Sequence, residues 1–347
     1  MGWRAWSKSD RVIECFGRKT MEIIGHRSAR NFFDTVLTNG RIAHAYLLTG
    51  PASVGKTTVA ADFLTRLVSG PPSPESVDPW KALRRYPDFT LVEREEDEKS
   101  GKLKKNISVE QVRKLREKLA MGSFLGFYKI GVILEAEAMS LEAANALLKT
   151  LEEPAPNTVI VLISSHSGAL PGTVASRAER LRFGLVSEGD LRSGLINRGF
   201  SEDRSEELSR LAEGRPGIAL ALAESEDKLR SDAECADSFA EALGAPVWRK
   251  IAFAEEAAPK KFGFETALLA AATIKVWQSV LRDALMIASG EPALIRRLAS
   301  RDRIAAWAQK KEPREIAAAL TAAIESRAAL EENVSPRLAL ENILLKT

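Results

Sequence analysis

Four short apolar runs stand out along the chain, at residues 45–48, 89–92, 130–134 and 159–163. None shows the polar alternation of a strand with one wet face. Continuous runs of this length predict strands buried on both sides, as in a parallel sheet. Between them, apolar positions recur at helical spacing. Thr58 through Val68 reads as one helix. Val109, Val112, Leu115 and Leu119 trace another, opened by a capping box in which Ser108 serves the Gln111 N–H and Gln111 reaches back. Ser140 is a good N-cap for a third, which runs through Ala143, Ala144, Leu147, Leu148 and Leu151 and stops before Pro154. Strands and helices alternating from about 21 to 185 predict an α/β domain with a parallel sheet covered by helices.

Beyond about residue 186 the strand pattern ceases. Ser187 opens a helical stretch, and Gly214-Arg215-Pro216-Gly217 separates two more helices. From about 235 to 347 the pattern is all helical and rich in Ala, Leu, Glu and Arg, with turn signals at Gly244-Ala245-Pro246, Gly290-Glu291-Pro292 and Glu312-Pro313. The expected organisation is an α/β domain over 21–185, a small helical domain over 186–230 and a helical C-terminal domain over 235–347. Residues 1–20 lack any clear period and any hydrophobic core of a secretory signal, so they read as an extension ahead of Met21 or as a misassigned start. Gly70-Pro71-Pro72-Ser73-Pro74 and the charged stretch from Glu93 to Lys105 read as solvated loops.

Composition narrows the classes. The 347 residues carry 50 basic and 47 acidic side chains, a net charge of +3. So balanced a chain can touch nucleic acid only through a local patch. No apolar run is long enough to span a membrane. Cys15 and Cys235 form neither a disulfide framework nor metal-ligand spacing, which suits a reducing compartment, so a cytoplasmic location is expected. His26, His44 and His166 also lack metal spacing, and His44 is expected beside the first strand.

The sharpest chemical signal follows the first apolar run. Gly50-Pro51-Ala52-Ser53-Val54-Gly55-Lys56-Thr57, continued by Thr58, has the spacing of a phosphate-binding loop between strand and helix. Gly50 and Gly55 let backbone N–H groups face a phosphate, and the helix N-terminus adds partial positive charge. Lys56 can reach outer phosphates, and the Thr57 hydroxyl can take a magnesium position. ATP or ADP with magnesium is therefore the expected ligand.

Several segments together resemble one family. They are Ile23-Ile24-Gly25-His26, Arg41 through Leu48, the phosphate loop, Tyr86-Pro87-Asp88, Asn145-Ala146-Leu147-Leu148-Lys149-Thr150-Leu151-Glu152-Glu153-Pro154, Ser176-Arg177, and Ser335-Pro336-Arg337-Leu338-Ala339-Leu340-Glu341. The chain resembles bacterial clamp-loader subunits of the AAA+ class, and among them the delta-prime type of DNA polymerase III. That resemblance implies an AAA+ nucleotide-binding domain, a helical lid and a helical collar. It implies assembly with gamma/tau-type and delta-type subunits in a pentameric ring that places a sliding clamp on primer–template DNA. The delta-prime type is the rigid, largely non-hydrolysing member of such a ring.

The departures from the motor subunits fit that type. Motor subunits carry Asp-Glu-Ala at the end of a core strand, where this chain has Leu134-Glu135-Ala136. Leu134 cannot organise a hard cation, so Glu135 is left as a vestige of the water-activating carboxylate. The four-cysteine zinc module of the family has no counterpart between residues 69 and 88, so no zinc is expected. Gly217 stands where motor subunits place an arginine that senses the γ-phosphate, with Arg215 out of register. The resemblance assigns Arg177 as an arginine finger acting on a neighbour's nucleotide, a role suited to a planar and permanently charged group. A surface arginine beside Arg180 and Arg182 is the plainer alternative. Lys149 is a weaker candidate for DNA phosphate contact. An active gamma/tau-type motor remains the alternative, disfavoured by Leu134, by Gly217 and by a chain that ends shortly after the collar. An unrelated phosphate-loop enzyme such as a kinase is disfavoured by the helical collar.

Overall fold

A computed structural model describes residues 23–69, 79–97, 103–125, 127–166, 168, 170–258, 264–297, 300–332 and 334–347. The expected extension over residues 1–20 and the Pro/Ser segment at 70–74 lie outside these residues. The described chain divides into two compact units, one ending at Ala221 and the other starting at Leu222.

The first unit is built on a five-stranded parallel sheet of order β2-β3-β4-β1-β5, formed by β1 (Ala45–Thr49), β2 (Phe89–Val92), β3 (Lys129–Ile133), β4 (Thr158–Ser164) and β5 (Glu179–Arg182). Its register sets Leu47 opposite Leu162 and Arg180. Every residue of β1, β3 and β4 is buried. The alternation of side chains explains the continuous apolar runs. Tyr46, Leu48, Val132 and Val161 enter one core, with Phe33 of α1 (Arg27–Asn39) and Val59 and Phe63 of α2 (Lys56–Ser69). Leu47, Ile133, Ile160 and Leu162 enter the other, with Leu115 of α4 (Val109–Ala120) and Leu147 of α5 (Leu141–Glu152). Both faces are covered, so the strand interiors are apolar and the buried polar residues, Thr49, Lys129, Thr158 and Ser164, stand at strand ends. The helix α3 (Pro79–Arg85) adds Trp80 and Leu83 to the first core.

Local chemistry sets the helix ends. Ser108 and Gln111 form the reciprocal cap on α4, and the Ser140 hydroxyl accepts from the Ala143 N–H at the start of α5. The other end of α4 is closed by the buried Lys129 ammonium, which donates to the Leu119 and Met121 carbonyls at 2.6 and 2.9 Å. That placement satisfies both the orphan carbonyls and the buried charge. In the charged stretch from Glu93, Glu95, Glu96, Lys104 and Lys105 are exposed, with Glu96 pairing Leu103 in an isolated antiparallel bridge and the Lys104 N–H donating to the Glu95 carbonyl. Residues 98–102 lie outside the described ones. β5 is an edge strand whose only buried residue is Leu181, which is why it has no apolar run. α6 (Gly172–Ala175) precedes β5, and α7 (Glu188–Asn197), α8 (Glu202–Leu211) and α9 (Pro216–Glu224) follow it.

The second unit is helical among its described residues: α10 (Glu226–Leu243), α11 (Val247–Ala257), α12 (Phe264–Ala288), α13 (Arg301–Ala308), α14 (Pro313–Ala329) and α15 (Pro336–Leu345). Its core centres on Trp277, stacked on Phe239 with ring centroids 4.4 Å apart. Asp283 is fully buried and accepts from Arg282 and from the Arg296 and Arg297 N–H groups at 2.9, 3.1 and 2.9 Å. A carboxylate met by a guanidinium and two amides has its lone pairs occupied, which makes the burial tolerable.

Candidate nucleotide site

The phosphate loop leaves β1 at Thr49 and enters α2 at Lys56. Three residues take positive φ: Gly50 at 146°, Ser53 at 63° and Gly55 at 110°. A Cβ on Gly50 would lie 2.1 Å from the Phe183 carbonyl oxygen, so both conformation and space demand glycine there. The Gly50 N–H donates to the Ser164 carbonyl at the end of β4. Pro51 and Gly55 are half-buried, Ala52 and Ser53 exposed, and Val54 fully buried, so the loop is anchored at Val54 and open at its tip. Lys56 and Thr58 are buried at the head of α2, and Thr57 is half-buried.

Lys56 Nζ donates to the Gly50 and Pro51 carbonyls, each at 2.6 Å. The ammonium thus rests inside the loop, bonded to carbonyls that an entering phosphate would replace. Burial pushes Lys56 down to about 8, with the Glu137 carboxylate opposing. His26 braces the loop from outside. Its Nε2–H donates to the Val54 carbonyl at 2.7 Å, and its ring lies 4.8 Å from that of Phe183. Burial, aided by the Lys56 charge, holds His26 below its ordinary range, so the ring is neutral and Nε2 carries the proton. The Gly217 N–H, at the start of α9, donates to the Ser53 carbonyl at 2.9 Å.

The other candidates fall elsewhere. Leu134 is half-buried against the core beneath α2. Glu135 has φ 49°, and its half-exposed carboxylate pairs with Arg94 beyond the end of β2. Two residues on, within the single 3-10 turn Ala136–Ala138, Glu137 turns the opposite way. Its Oε1 accepts the Ser165 N–H at 3.0 Å, and its Oε2 is buried without a donor. Arg177 follows α6. Its Nη2 pairs with Glu152 at the end of α5 at 2.7 Å, and its Nη1 donates to the Thr173 carbonyl at 2.8 Å. Lys149 is exposed on α5. Arg215 is half-buried. His44 sits half-buried just ahead of β1, with its carbonyl accepting the Ile160 N–H.

The structure thus brings together the phosphate loop, Lys56, His26, Gly217 and Glu137. Glu135 faces Arg94, and Arg177 and Lys149 belong to the α5–α6 region. Sequence reasoning missed Glu137 and the bracing role of His26, because each depends on a partner 28 residues away in the chain. Among the described residues no group of three or more His, Cys, Asp or Glu could hold a metal ion. A magnesium ion here would depend on phosphate oxygens, the Thr57 hydroxyl and one carboxylate, which is the usual pattern for that cation. The unpartnered Glu137 Oε2 fits such a need. No helix among the described residues is long and apolar enough to cross a membrane.

Part of the chain is similar to known proteins. Residues 25–186 match the family model described as DNA polymerase III, delta subunit. A DNA polymerase III subunit delta' of Pseudomonas aeruginosa is 40% identical over 141 residues, covering 39% of this chain and 41% of that protein. The subunit delta' of Bacillus subtilis is 30% identical over 176 residues, covering 49% and 50%. The chain spans less than two thirds of the length of either relative. A DNA polymerase III gamma subunit-related protein of Thermotoga maritima, known as a solved structure, aligns with 90% of this chain and 97% of its own at 17% identity and a TM-score of 0.47. Over residues 25–186 the chain is similar to these delta-type subunits.

Proposed function

We propose that this chain is a delta-prime-type subunit of a clamp loader: it binds ATP or ADP with magnesium, hydrolyses it slowly or not at all, and works within a ring of gamma/tau-type and delta-type subunits that loads a sliding clamp onto primed DNA. The carrying observation is an intact phosphate loop joined to a disarmed carboxylate turn. Lys56 is held by two loop carbonyls, ready to exchange them for phosphate oxygens. Leu134 replaces the cation-organising carboxylate, and Glu135 is engaged by Arg94. Binding without efficient water activation follows from that combination. The delta-prime relatives over the same region support it.

On this reading the second unit is the collar through which the ring assembles. It presents exposed Trp248, Leu269 and Leu338, apolar side chains that a lone subunit leaves in water. Arg177 is the finger for the neighbour's nucleotide, held for the present by Glu152, and Lys149 lies where α5 could meet a DNA phosphate.

The test is the DNA-stimulated ATPase of a loader reconstituted with clamp and primed DNA. A trans-acting arginine can be worth about a thousandfold or more at one site. Only one site in the ring would face this subunit, so Arg177→Ala should lower total hydrolysis partially while folding and assembly persist. Arg177→Lys should rescue little, because an ammonium lacks the planar fork. Unchanged hydrolysis and loading by the alanine variant would return Arg177 to the surface-charge reading. Robust ATPase by the isolated chain, lost on Lys56→Ala, would favour the motor reading instead.

A further inference from the structure

We propose that Glu137, and not Glu135, is the carboxylate that completes the nucleotide site, accepting hydrogen bonds through Oε2 from the hydrated magnesium of a bound nucleoside diphosphate or triphosphate. The proposal rests on the nucleotide-binding reading above and concerns which residue serves it.

The geometry separates the two carboxylates. Glu135 takes a left-handed backbone conformation at φ 49° and ψ 50°, which turns the chain sharply at the end of β3. Its side chain leaves the sheet toward Arg94 and is half-exposed there. The same turn brings Glu137 back over the sheet's C-terminal edge. Only 18% of its side chain is exposed, and Ser165 N–H fixes its Oε1. Ser165 directly follows Ser164, whose carbonyl accepts the Gly50 N–H, so Glu137 is moored to the strand that flanks the phosphate loop. In open parallel sheets, ligands sit at this edge.

One oxygen of this carboxylate has no protein partner. Glu137 Oε2 is buried and no donor meets it. A buried carboxylate oxygen without a partner is costly, and such atoms mark sites completed by something else. Among the described residues, Lys56 and His166 face this carboxylate. The first is within electrostatic reach, and the second has Nδ1 3.9 Å from Oε1 and a largely exposed ring. A carboxylate here repels bare phosphates and welcomes a dication placed between. Magnesium keeps several waters and takes few protein ligands, so a single carboxylate reached through water is enough.

This predicts a thermodynamic signature that a merely structural residue lacks. Full-length protein is titrated with a fluorescent ADP, once with magnesium and once with chelator, and the ratio of the two affinities is the readout. Wild type should gain substantially from magnesium. Glu137→Gln should bind metal-free ADP more tightly than wild type, by about fivefold or more as one negative charge is removed, and should lose most of the magnesium gain. Glu137→Ala is read by the same ratio should the glutamine variant fold poorly. A magnesium gain in both variants equal to that of wild type overturns the assignment. So does a loss of the gain in Glu135→Gln but not in Glu137→Gln. If wild type binds no nucleotide under either condition, the nucleotide-binding reading itself fails, and this assignment falls with it.

Discussion

The amide of Gly217 donates to the carbonyl of Ser53 at 2.9 Å, so the first turn of α9 rests directly on the tip of the phosphate loop. A Cβ at Gly217 would stand 3.0 Å from that oxygen and 3.2 Å from the Ser53 Cβ. Gly217 is thus held by close backbone packing against Ser53. Overpacking commonly costs about 1–3 kcal/mol, and Ser53 is exposed and can yield, so Gly217→Ala should fall at the low end of that range. It should nonetheless displace the loop and weaken ADP binding several-fold. Thermal unfolding and nucleotide titration of the one variant separate the two effects.

Nucleotide affinity should depend on alkaline pH through Lys56. Its pKa is about 8, below the unfolded value of 10.5, because burial disfavours the ammonium. Below pH 8 the group is charged in both folded and unfolded chains, and the burial cost is fully present. Between about 8 and 10.5 the unfolded chain binds more protons, so this group's contribution to stability rises with pH. Phosphate binding runs the opposite way, since it needs the ammonium. Affinity for ADP should be flat just below pH 8 and fall above it, by at most about tenfold per unit. Lys56→Met should bind weakly and lose the dependence. The check is a set of dissociation constants between pH 7 and 9.5.

Asp88 should govern the loop after α4. Its carboxylate accepts from the Ser123 hydroxyl at 2.7 Å and from the Phe124 and Leu125 N–H groups at 2.9 and 3.1 Å. Partial burial works against the charge, but these bonds and the nearby Lys129 prevail and hold Asp88 below the ordinary carboxylate range. Its contribution is therefore present above the unfolded pKa near 4 and is lost as pH falls through the folded value. Asp88→Ala should destabilise the first unit by about 1–3 kcal/mol and free Phe124, already 81% exposed, from its fixed position. Amide hydrogen exchange at Phe124 and Leu125 should accelerate in the variant and stay slow in wild type.

Asp283 should be the most sensitive acidic position of the second unit. It is fully buried, and its removal would take this acceptor from the Arg296 and Arg297 amides and from Arg282, which would keep its bond to the Leu294 carbonyl. Breaking such an arrangement from one side typically costs about 3–5 kcal/mol. Asp283→Ala should lower stability in equilibrium denaturation by an amount of that order, whereas Glu255→Ala, which removes an exposed partner of Arg337, should change it by less than about 1 kcal/mol.

The central strands and the phosphate loop were legible because they depend on short-range pattern. β1, β3 and β4 are buried on both faces and therefore read as unbroken apolar runs, ending within a residue or two of the observed strands. Ser108 and Ser140 cap through residues three places on, well inside a sequence window. β5 was not visible as an apolar run, since it needs only Leu181 inside. The site was legible as far as the loop itself. Glu137, His26 and Gly217 act on it through bonds spanning from 28 to 164 residues, the last being the separation of Gly217 from Ser53. Which of two nearby glutamates turns inward was decided by the backbone angle at Glu135, and nothing in the residue types Glu-Ala-Glu specifies that angle.

The crowding at Gly50 bears on how such chains change over generations. Any side chain there would run into the Phe183 carbonyl whether or not a nucleotide is ever bound. A lineage that gave up ATP hydrolysis, or even ATP, would still be punished for altering this glycine, through misfolding of the strand edge. Lys56 has no such protection, because its two carbonyl partners at the mouth of the loop could be served by water. In descendants that drift toward a purely architectural role, the lysine should therefore decay before the glycine does. A surviving Gly50 is a relic of folding, and the state of Lys56 is the better witness to whether phosphate still matters.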